Sequence, residues 1–135
     1  MTIKKLYLPI KPHQKPRGAL NKYGAMCHSM GTYRNWQKSF ITLLEGSGFA
    51  LNGMVIYSIC IDFQMVKKKG RKPDVDNLVG GVFDTLVKAG VIGDDNYGEL
   101  PRLYADAHLH PASGMTIYFT ENKKEMLYTI EKFFN

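Results

Sequence analysis

The chain has 135 residues, 44% of them hydrophobic, and is therefore long enough to form one domain around its own core. Eighteen Lys and Arg residues against 12 Asp and Glu residues give a net charge of +6, which favours a polyanionic partner. The sequence has no low-complexity segment and no apolar run of membrane-spanning length, which argues against a disordered chain and against a helical membrane protein.

The two cysteines, Cys27 and Cys60, lie far apart and lack the spacing of zinc ligands. A reduced intracellular setting is the simpler interpretation of that usage. The first residues also lack the apolar core of a signal peptide. We therefore expect a soluble, cytoplasmic protein.

The positive charge is concentrated in two places. Residues 1–44 contain eight Lys or Arg residues and no acidic residue, and a second basic block runs from Lys67 to Lys72. Such blocks bind phosphates in nucleic-acid-binding proteins, although a solvated surface is the simpler alternative.

In chain order, the first strand is predicted at Ile3–Ile10 and is ended by prolines. A long loop follows from Lys11 to Gly31, and loops of this length are often functional. A helix is predicted from Thr32, as its cap, to Glu45, with Trp36 and Phe40 in the core. The candidate phosphate-binding residues of the loop are Lys11, Lys15, Arg17 and Lys22.

The segment Met54–Val66 alternates β-branched and aromatic residues and predicts a strand. It leads directly into the second basic block, whose candidate DNA-binding residues are Lys67, Lys68, Lys69, Arg71 and Lys72. This arrangement predicts a cationic surface at the end of the strand, next to the motif that follows.

Five of the seven aspartates lie within Lys72–Asp95. Pro73 and the apolar spacing that begins at Leu78 predict a helix whose start carries Asp74 and Asp76. Gly90 is a natural terminator, because glycine adopts positive φ without strain. The predicted buried face comprises Leu78, Val79, Val82, Phe83, Leu86 and Val87.

A second carboxylate pair, Asp94 and Asp95, follows the predicted helix. Like charges raise each other's pKa, and a hard divalent cation such as Mg²⁺ offsets that cost by taking carboxylate oxygens as ligands. The simpler alternative is that Asp74 or Asp76 caps the helix and that Asp94 and Asp95 form a turn.

Two further strands, Leu103–His110 and Met115–Thr120, are predicted to form an antiparallel hairpin. His108 and His110 lie on one face of a strand, where surface histidines are a simpler interpretation than a metal pair. Asn122 and Glu125 predict the start of an additional helix over about residues 122–134. Its apolar stripe is expected to cover either the sheet or a second subunit.

The motif resembles the RusA family of Holliday-junction resolvases, which are phage and prophage endonucleases. The resemblance rests on Asp-x-Asp-Asn-Leu from Asp74, Phe-Asp-x-Leu-x-Lys-Ala-Gly from Phe83, and Asp94-Asp95, all preceded by a basic run. It implies an α+β fold with a two-layer mixed sheet and helices packed on it, as a single domain over residues 1–135. It also implies a homodimer that cuts branched DNA with Mg²⁺ or Mn²⁺ in a bacterial or phage-infected cell.

By this resemblance, the metal-binding and catalytic residues are Asp74, Asp76 and Asp95, with Asp94 as an acidic neighbour. The expected function is resolution of four-way DNA junctions by paired symmetric nicks. The chain departs from the family pattern at Gly80, where the family usually has a catalytic lysine. Lys72 or the run Lys67–Lys69 are candidate replacements for that charge, and a junction-binding protein with weak or no cleavage is the alternative function.

A third class is a small-molecule phosphohydrolase with an Asp-x-Asp motif. Those enzymes place the pair directly after an apolar strand, whereas basic residues precede Asp74 here. This class is therefore the least favoured.

Overall fold

The computed structural model describes residues 2–16, 29–67, 72–93 and 101–134. This part of the chain has a mixed four-stranded sheet and three helices, which confirms the predicted α+β class. In chain order the elements are β1 (Lys4–Leu8), α1 (Ser29–Gly46), β2 (Ser58–Met65), α2 (Val75–Lys88), β3 (Arg102–Leu109), β4 (Gly114–Thr120) and α3 (Lys123–Phe133).

The sheet has the strand order β1-β4-β2-β3. Strand β2 occupies an inner position, because its apolar residues Ile59, Ile61 and Phe63 are fully buried. It pairs antiparallel with β4 and parallel with β3, so that Ile61 lies between Ile117 and Ala105. Strand β1 pairs antiparallel with the other side of β4.

The prediction of a hairpin between the last two strands was wrong. Strands β3 and β4 lie on opposite sides of β2 and do not pair with each other. Their connection must therefore cross the end of β2, a span of about 10 Å for two strand spacings. His110 begins this crossing, and its backbone N–H donates to the carbonyl of Met65 at 2.8 Å.

Helices α1 and α2 cover one face of the sheet and enclose the main core. Phe40 of α1 and Leu86 of α2 have no exposed surface, and they belong to the same apolar cluster as Ile117 and Phe63. The predicted core positions of Trp36 and Phe40 are confirmed. Helix α1 begins at Ser29, one turn before the predicted cap at Thr32.

Helix α3 packs on the opposite face of the sheet, where it forms a partial third layer that the two-layer prediction did not include. The ring of Phe133 stacks on Tyr118 at 4.8 Å, and Phe134 meets Tyr104 edge-on at 5.0 Å. Leu127 and Phe133 nevertheless remain 52% and 39% exposed, so the sheet covers only part of the apolar stripe. Among the described residues, no helix is long and apolar enough to cross a membrane.

Candidate metal and nucleic-acid site

The start of α2 lies toward the carboxyl end of β2, and the connection between them carries Lys67 and Lys72. Strands β2 and β3 run parallel with α2 between them in the chain, so α2 begins at the carboxyl end of β2. Ligands of open α/β sheets commonly bind at this end of the strands. Asp74 and Asp76 lie at this start, as predicted.

Asp74 stands before the first turn of α2 with an extended backbone, at φ −75° and ψ 135°. Its carbonyl accepts hydrogen bonds from the N–H groups of Asn77 and Leu78, at 3.1 and 3.2 Å. Its carboxylate makes no capping hydrogen bond to the helix. Both Asp74 and Asp76 are exposed. The carboxylate of Asp74 is therefore not used to cap the helix.

The remainder of α2 agrees with the predicted pattern. Leu78, Val82, Phe83 and Leu86 are buried, and Val79 and Val87 pack at the edge of the core. The helix ends where Gly90 takes φ 77°.

The hydrogen bonds at that end form a Schellman motif, in which Gly90 donates to Val87 at 3.0 Å and Val91 donates to Leu86 at 2.9 Å. Gly93 is the last residue described before the second carboxylate pair. Asp94 and Asp95 lie outside the described residues, so their convergence with Asp74 and Asp76 stays a prediction. Over the described ranges, no three Asp, Glu, His or Cys side chains are grouped so that they could hold a metal.

A network of hydrogen bonds holds Asp84, one turn beyond Gly80. Its Oδ2 accepts from the Tyr33 hydroxyl at 2.8 Å and from Gln37 Nε2 at 3.2 Å. Gln37 also donates to Thr85, whose hydroxyl donates back to the helix at Gly81. Burial and the bond to Asp84 raise the pKa of Tyr33, which stays protonated as a donor. This network joins α1 to α2 around Asp84.

Four of the predicted DNA-binding cations lie in the described residues, in two segments that both precede α2 in sequence. Lys67 and Lys72 are exposed, and Lys72 stands two residues before Asp74. Lys11 and Lys15 are exposed in the segment after β1. The other predicted DNA-binding residues, Arg17, Lys22, Lys68, Lys69 and Arg71, lie outside the described residues.

The position of Lys15 was not foreseen from the sequence. Its backbone N–H donates to the carbonyl of Asn77 at 3.0 Å, and its Nζ lies 3.8 Å from Asp84 Oδ1. Its side chain crosses α2 at Gly80. The available signal was the pair Gly80-Gly81 inside an apolar helix, because a glycine there often marks close approach of another backbone.

His108 in β3 and His110 just after it do not form a metal site with described partners. His108 Nδ1 lies 2.9 Å from Asp62 Oδ1, and His110 Nδ1 contacts the backbone of Ala112. The two rings meet edge to face at 6.1 Å. Cys60 is a free buried thiol, and burial raises its pKa.

Comparison with known proteins places the motif in a wider context. The family model described as endodeoxyribonuclease RusA matches residues 9–98, which include β2, α2 and both aspartate pairs. A crossover junction endodeoxyribonuclease RusA from Aquifex aeolicus is 30% identical over 93 residues, covering 67% of this chain and 71% of the relative. Helix α3 lies beyond the matched region. The chain belongs to the RusA family of endodeoxyribonucleases, the Holliday-junction resolvases that its central motif resembles.

Proposed function

We propose that this protein is a metal-dependent endonuclease that resolves four-way DNA junctions by paired symmetric nicks. The observation that carries this proposal is the exposed pair Asp74 and Asp76 at the start of α2, with the carboxylate of Asp74 not used to cap the helix. The pair lies within the region that matches the RusA family. Asp95 is proposed to complete the site, with Asp94 beside it.

These residues fit a hard divalent cation. Exposed carboxylates offer oxygen ligands with room for water, which suits Mg²⁺, and Mn²⁺ accepts the same donors. When bound by Asp74, Asp76 and Asp95, the ion would supply Lewis acidity at the scissile phosphate and lower the pKa of a water molecule. The aspartates would hold and orient it.

The reaction is hydrolysis of a phosphodiester bond. A water oxygen forms a bond to phosphorus while the bond from phosphorus to the 3′ oxygen breaks. The 3′ oxygen takes up a proton, which leaves a 3′ hydroxyl and a 5′ phosphate. No Ser, Cys or His nucleophile is required.

The cationic residues are proposed to bind DNA on both sides of the aspartates. Phosphate contacts of this kind position DNA without reading its sequence, and their strength falls as salt rises. Lys72 and Lys67 would contact phosphates near the start of α2, and the segment after β1 would contact them from another side. The proposed set is Lys11, Lys15, Arg17, Lys22, Lys67, Lys68, Lys69, Arg71 and Lys72.

A homodimer fits the proposed substrate. A four-way junction has two-fold symmetry, so two identical subunits would present equivalent sites to equivalent strands. The proposed location is the cytoplasm of a bacterial or phage-infected cell, where the protein would bind such DNA. Light scattering after size-exclusion chromatography tests the dimer, and a monomer with paired cutting would contradict this part of the proposal.

The alternative function is junction binding with weak or no cleavage. The observation that favours it is Gly80. One turn after Asp76, this position of α2 has no lysine side chain. The cationic residues would serve this function equally well.

A labelled synthetic four-way junction separates the two functions. With Mg²⁺ or Mn²⁺ the wild-type protein is expected to nick two opposing strands symmetrically, and a chelator should stop cutting. Asp106→Asn is the matched control. Asp106 lies beside Asp62 in the register of β3 and β2, on the face of the sheet that carries α3 and away from α2. Tight binding without nicks in either metal would overturn cleavage and support the alternative.

A further inference from the structure

The segment after β1 lies directly on the surface of α2 at two adjacent glycines. A Cβ built at position 81 would lie 2.8 Å from the carbonyl oxygen of His13. A Cβ at position 80 would lie 3.5 and 3.7 Å from Cδ and Cβ of Lys15. The glycine pair therefore forms a shallow groove, in which the backbone of His13 occupies one position and the Lys15 side chain crosses the other.

Contacts with α1 fix this segment from the other side. The His13 ring lies 5.8 Å from the rings of both Tyr33 and Trp36. Trp36 Nε1 donates to the carbonyl of Lys11 at 2.7 Å. The backbone that carries Lys15 is thus held between two helices, whereas the Lys15 side chain is 46% exposed.

The Lys15 backbone is anchored close to the aspartates. Its N–H donates to the carbonyl of Asn77, the residue that follows Asp76. Asp76, Gly80 and Asp84 lie four residues apart on one side of α2, so the Cα atom of Gly80 is about 6 Å along the axis from that of each aspartate. Rotation of the side chain above Gly80 can therefore carry the ammonium group from the Asp84 end toward the Asp76 end while the backbone stays fixed.

The contact that holds the ammonium group at Asp84 is weak. The two groups are 3.8 Å apart and 46% and 40% exposed. Exposed pairs of this kind contribute at most about 1 kcal/mol. Asp84 also keeps its hydrogen bonds from Tyr33 and Gln37 when the lysine leaves. Asp84 is therefore a resting position that Lys15 can leave at small cost.

We propose that Lys15 is a catalytic residue, whose ammonium group moves from Asp84 to the scissile phosphate at Asp74 and Asp76. It would stabilise the negative charge that grows on the phosphate oxygens during attack, a role in which a single placed donor is worth about 10²-fold or more in rate. This inference rests on the proposed endonuclease function. It also explains the glycine at position 80, because the absence of a side chain there lets Lys15 from another segment cross the helix.

Single-turnover cleavage at saturating protein separates this role from simple phosphate binding. Lys15→Gln is expected to lower the saturated rate about 10²-fold, while binding measured in Ca²⁺ weakens only slightly. Lys38→Gln is the matched control, since Lys38 is exposed on α1 and removes the same charge. Normal saturated cutting by Lys15→Gln, with only weaker binding, would overturn the inference and leave the endonuclease function intact.

A rescue experiment tests the position of the charge. The double variant Lys15→Gln with Gly80→Lys should recover much of the lost rate, because the new lysine would start from the place that the Lys15 side chain crosses. The double variant Lys15→Gln with Gly80→Gln should not recover it. Equal rates for the two double variants would mean that charge at this place has no role in cleavage.

The glycine pair supplies a second, independent comparison. Gly81→Ala should lower the rate, because its Cβ would meet the fixed carbonyl of His13 at 2.8 Å and displace the segment. Gly80→Ala should have the smaller effect, since its Cβ meets only the side chain of Lys15 at ordinary contact distance. The reverse order would contradict the role of the groove. Absence of nicks with the wild-type protein would instead refute the endonuclease function, and this inference with it.

Discussion

The starts of α2 and α3 look alike in sequence but use their polar residues differently. Each helix follows an extended residue able to cap it, Asp74 in one case and Asn122 in the other. Asn122 Oδ1 accepts from the N–H of Glu125 at 2.9 Å, whereas the Asp74 carboxylate makes no such bond.

The acidic residues of these two first turns differ in burial. Glu125 is 5% exposed and accepts hydrogen bonds from the backbone N–H groups of Glu121 and Thr2, both at 2.9 Å. Asp76, in the first turn of α2, is exposed. The start of α3 thus contributes to stability, while the start of α2 presents carboxylates to solvent. Substitutions at the two starts should therefore affect different measurements.

The substitution Asp76→Asn is expected to have the largest effect, which is on the rate of DNA cleavage. Loss of this proposed metal ligand should lower cleavage by at least about 10²-fold, since even residues that only support ligands cost up to that much. Stability should change by at most about 1 kcal/mol, because the side chain is exposed and interactions of exposed charged groups are weak. A cleavage assay measures the rate, and urea denaturation measures the free energy of unfolding. Junction binding should be retained or strengthened, since a negative charge near DNA is removed, and wild-type cutting by this variant would contradict the metal site.

Glu125→Gln should show the opposite behaviour. It weakens charge-assisted hydrogen bonds in a buried place and should lower the free energy of unfolding by about 2 kcal/mol. Cleavage per folded molecule should not change. Glu45→Gln, at an exposed position near the end of α1, is the control and should leave stability nearly unchanged. A Glu125→Gln protein of normal stability would remove the contrast between the two helix starts.

The contribution of Glu125 should also depend on pH. The hydrogen bond from the backbone N–H of Glu121, together with those from Thr2, lowers the pKa of Glu125 despite its burial. A lowered folded-state pKa stabilises the protein above the unfolded value of about 4.3, and this stabilisation is lost as pH falls through the folded value. The stability difference between wild type and Glu125→Gln should therefore be constant near neutral pH and shrink below about pH 4. A difference that grows on acidification would contradict the assigned direction.

The smallest effects compare the two capping positions directly. Asn122→Ala should destabilise the protein by about 1 kcal/mol, because a capping hydrogen bond is lost. Asp74→Ala should change stability by less than about 0.5 kcal/mol, since no capping hydrogen bond is lost and repulsion from Asp76 is relieved. Equal losses in thermal or urea unfolding would mean that Asp74 does act as a cap.

The parts of the fold that follow local rules could be predicted from the sequence. The burial of Leu78, Val82 and Leu86 follows from helical spacing, and the end of α2 at Gly90 follows from the backbone freedom of glycine. The alternation in β2 likewise predicted a strand. Each of these features depends on residues within a few positions of one another.

Pairing over long distances could not be predicted in the same way. The short turn after β3 suggested a hairpin, but the apolar β2 takes the place between β3 and β4 because it needs neighbours on both sides. The contact of Lys15 with α2 joins positions more than sixty residues apart, and only the glycines at 80 and 81 hinted at it.

The pairing of β1 with β4 has a consequence for how the protein becomes active. Lys4 lies opposite Phe119, so β1 must wait for β4 to leave the ribosome before it can pair with it. Such distant pairing makes folding slow. The segment that delivers Lys15 follows β1, and we therefore expect nascent chains that lack β4 to be unable to place it. A translating ribosome would thus carry an incompletely assembled site until β4 had emerged.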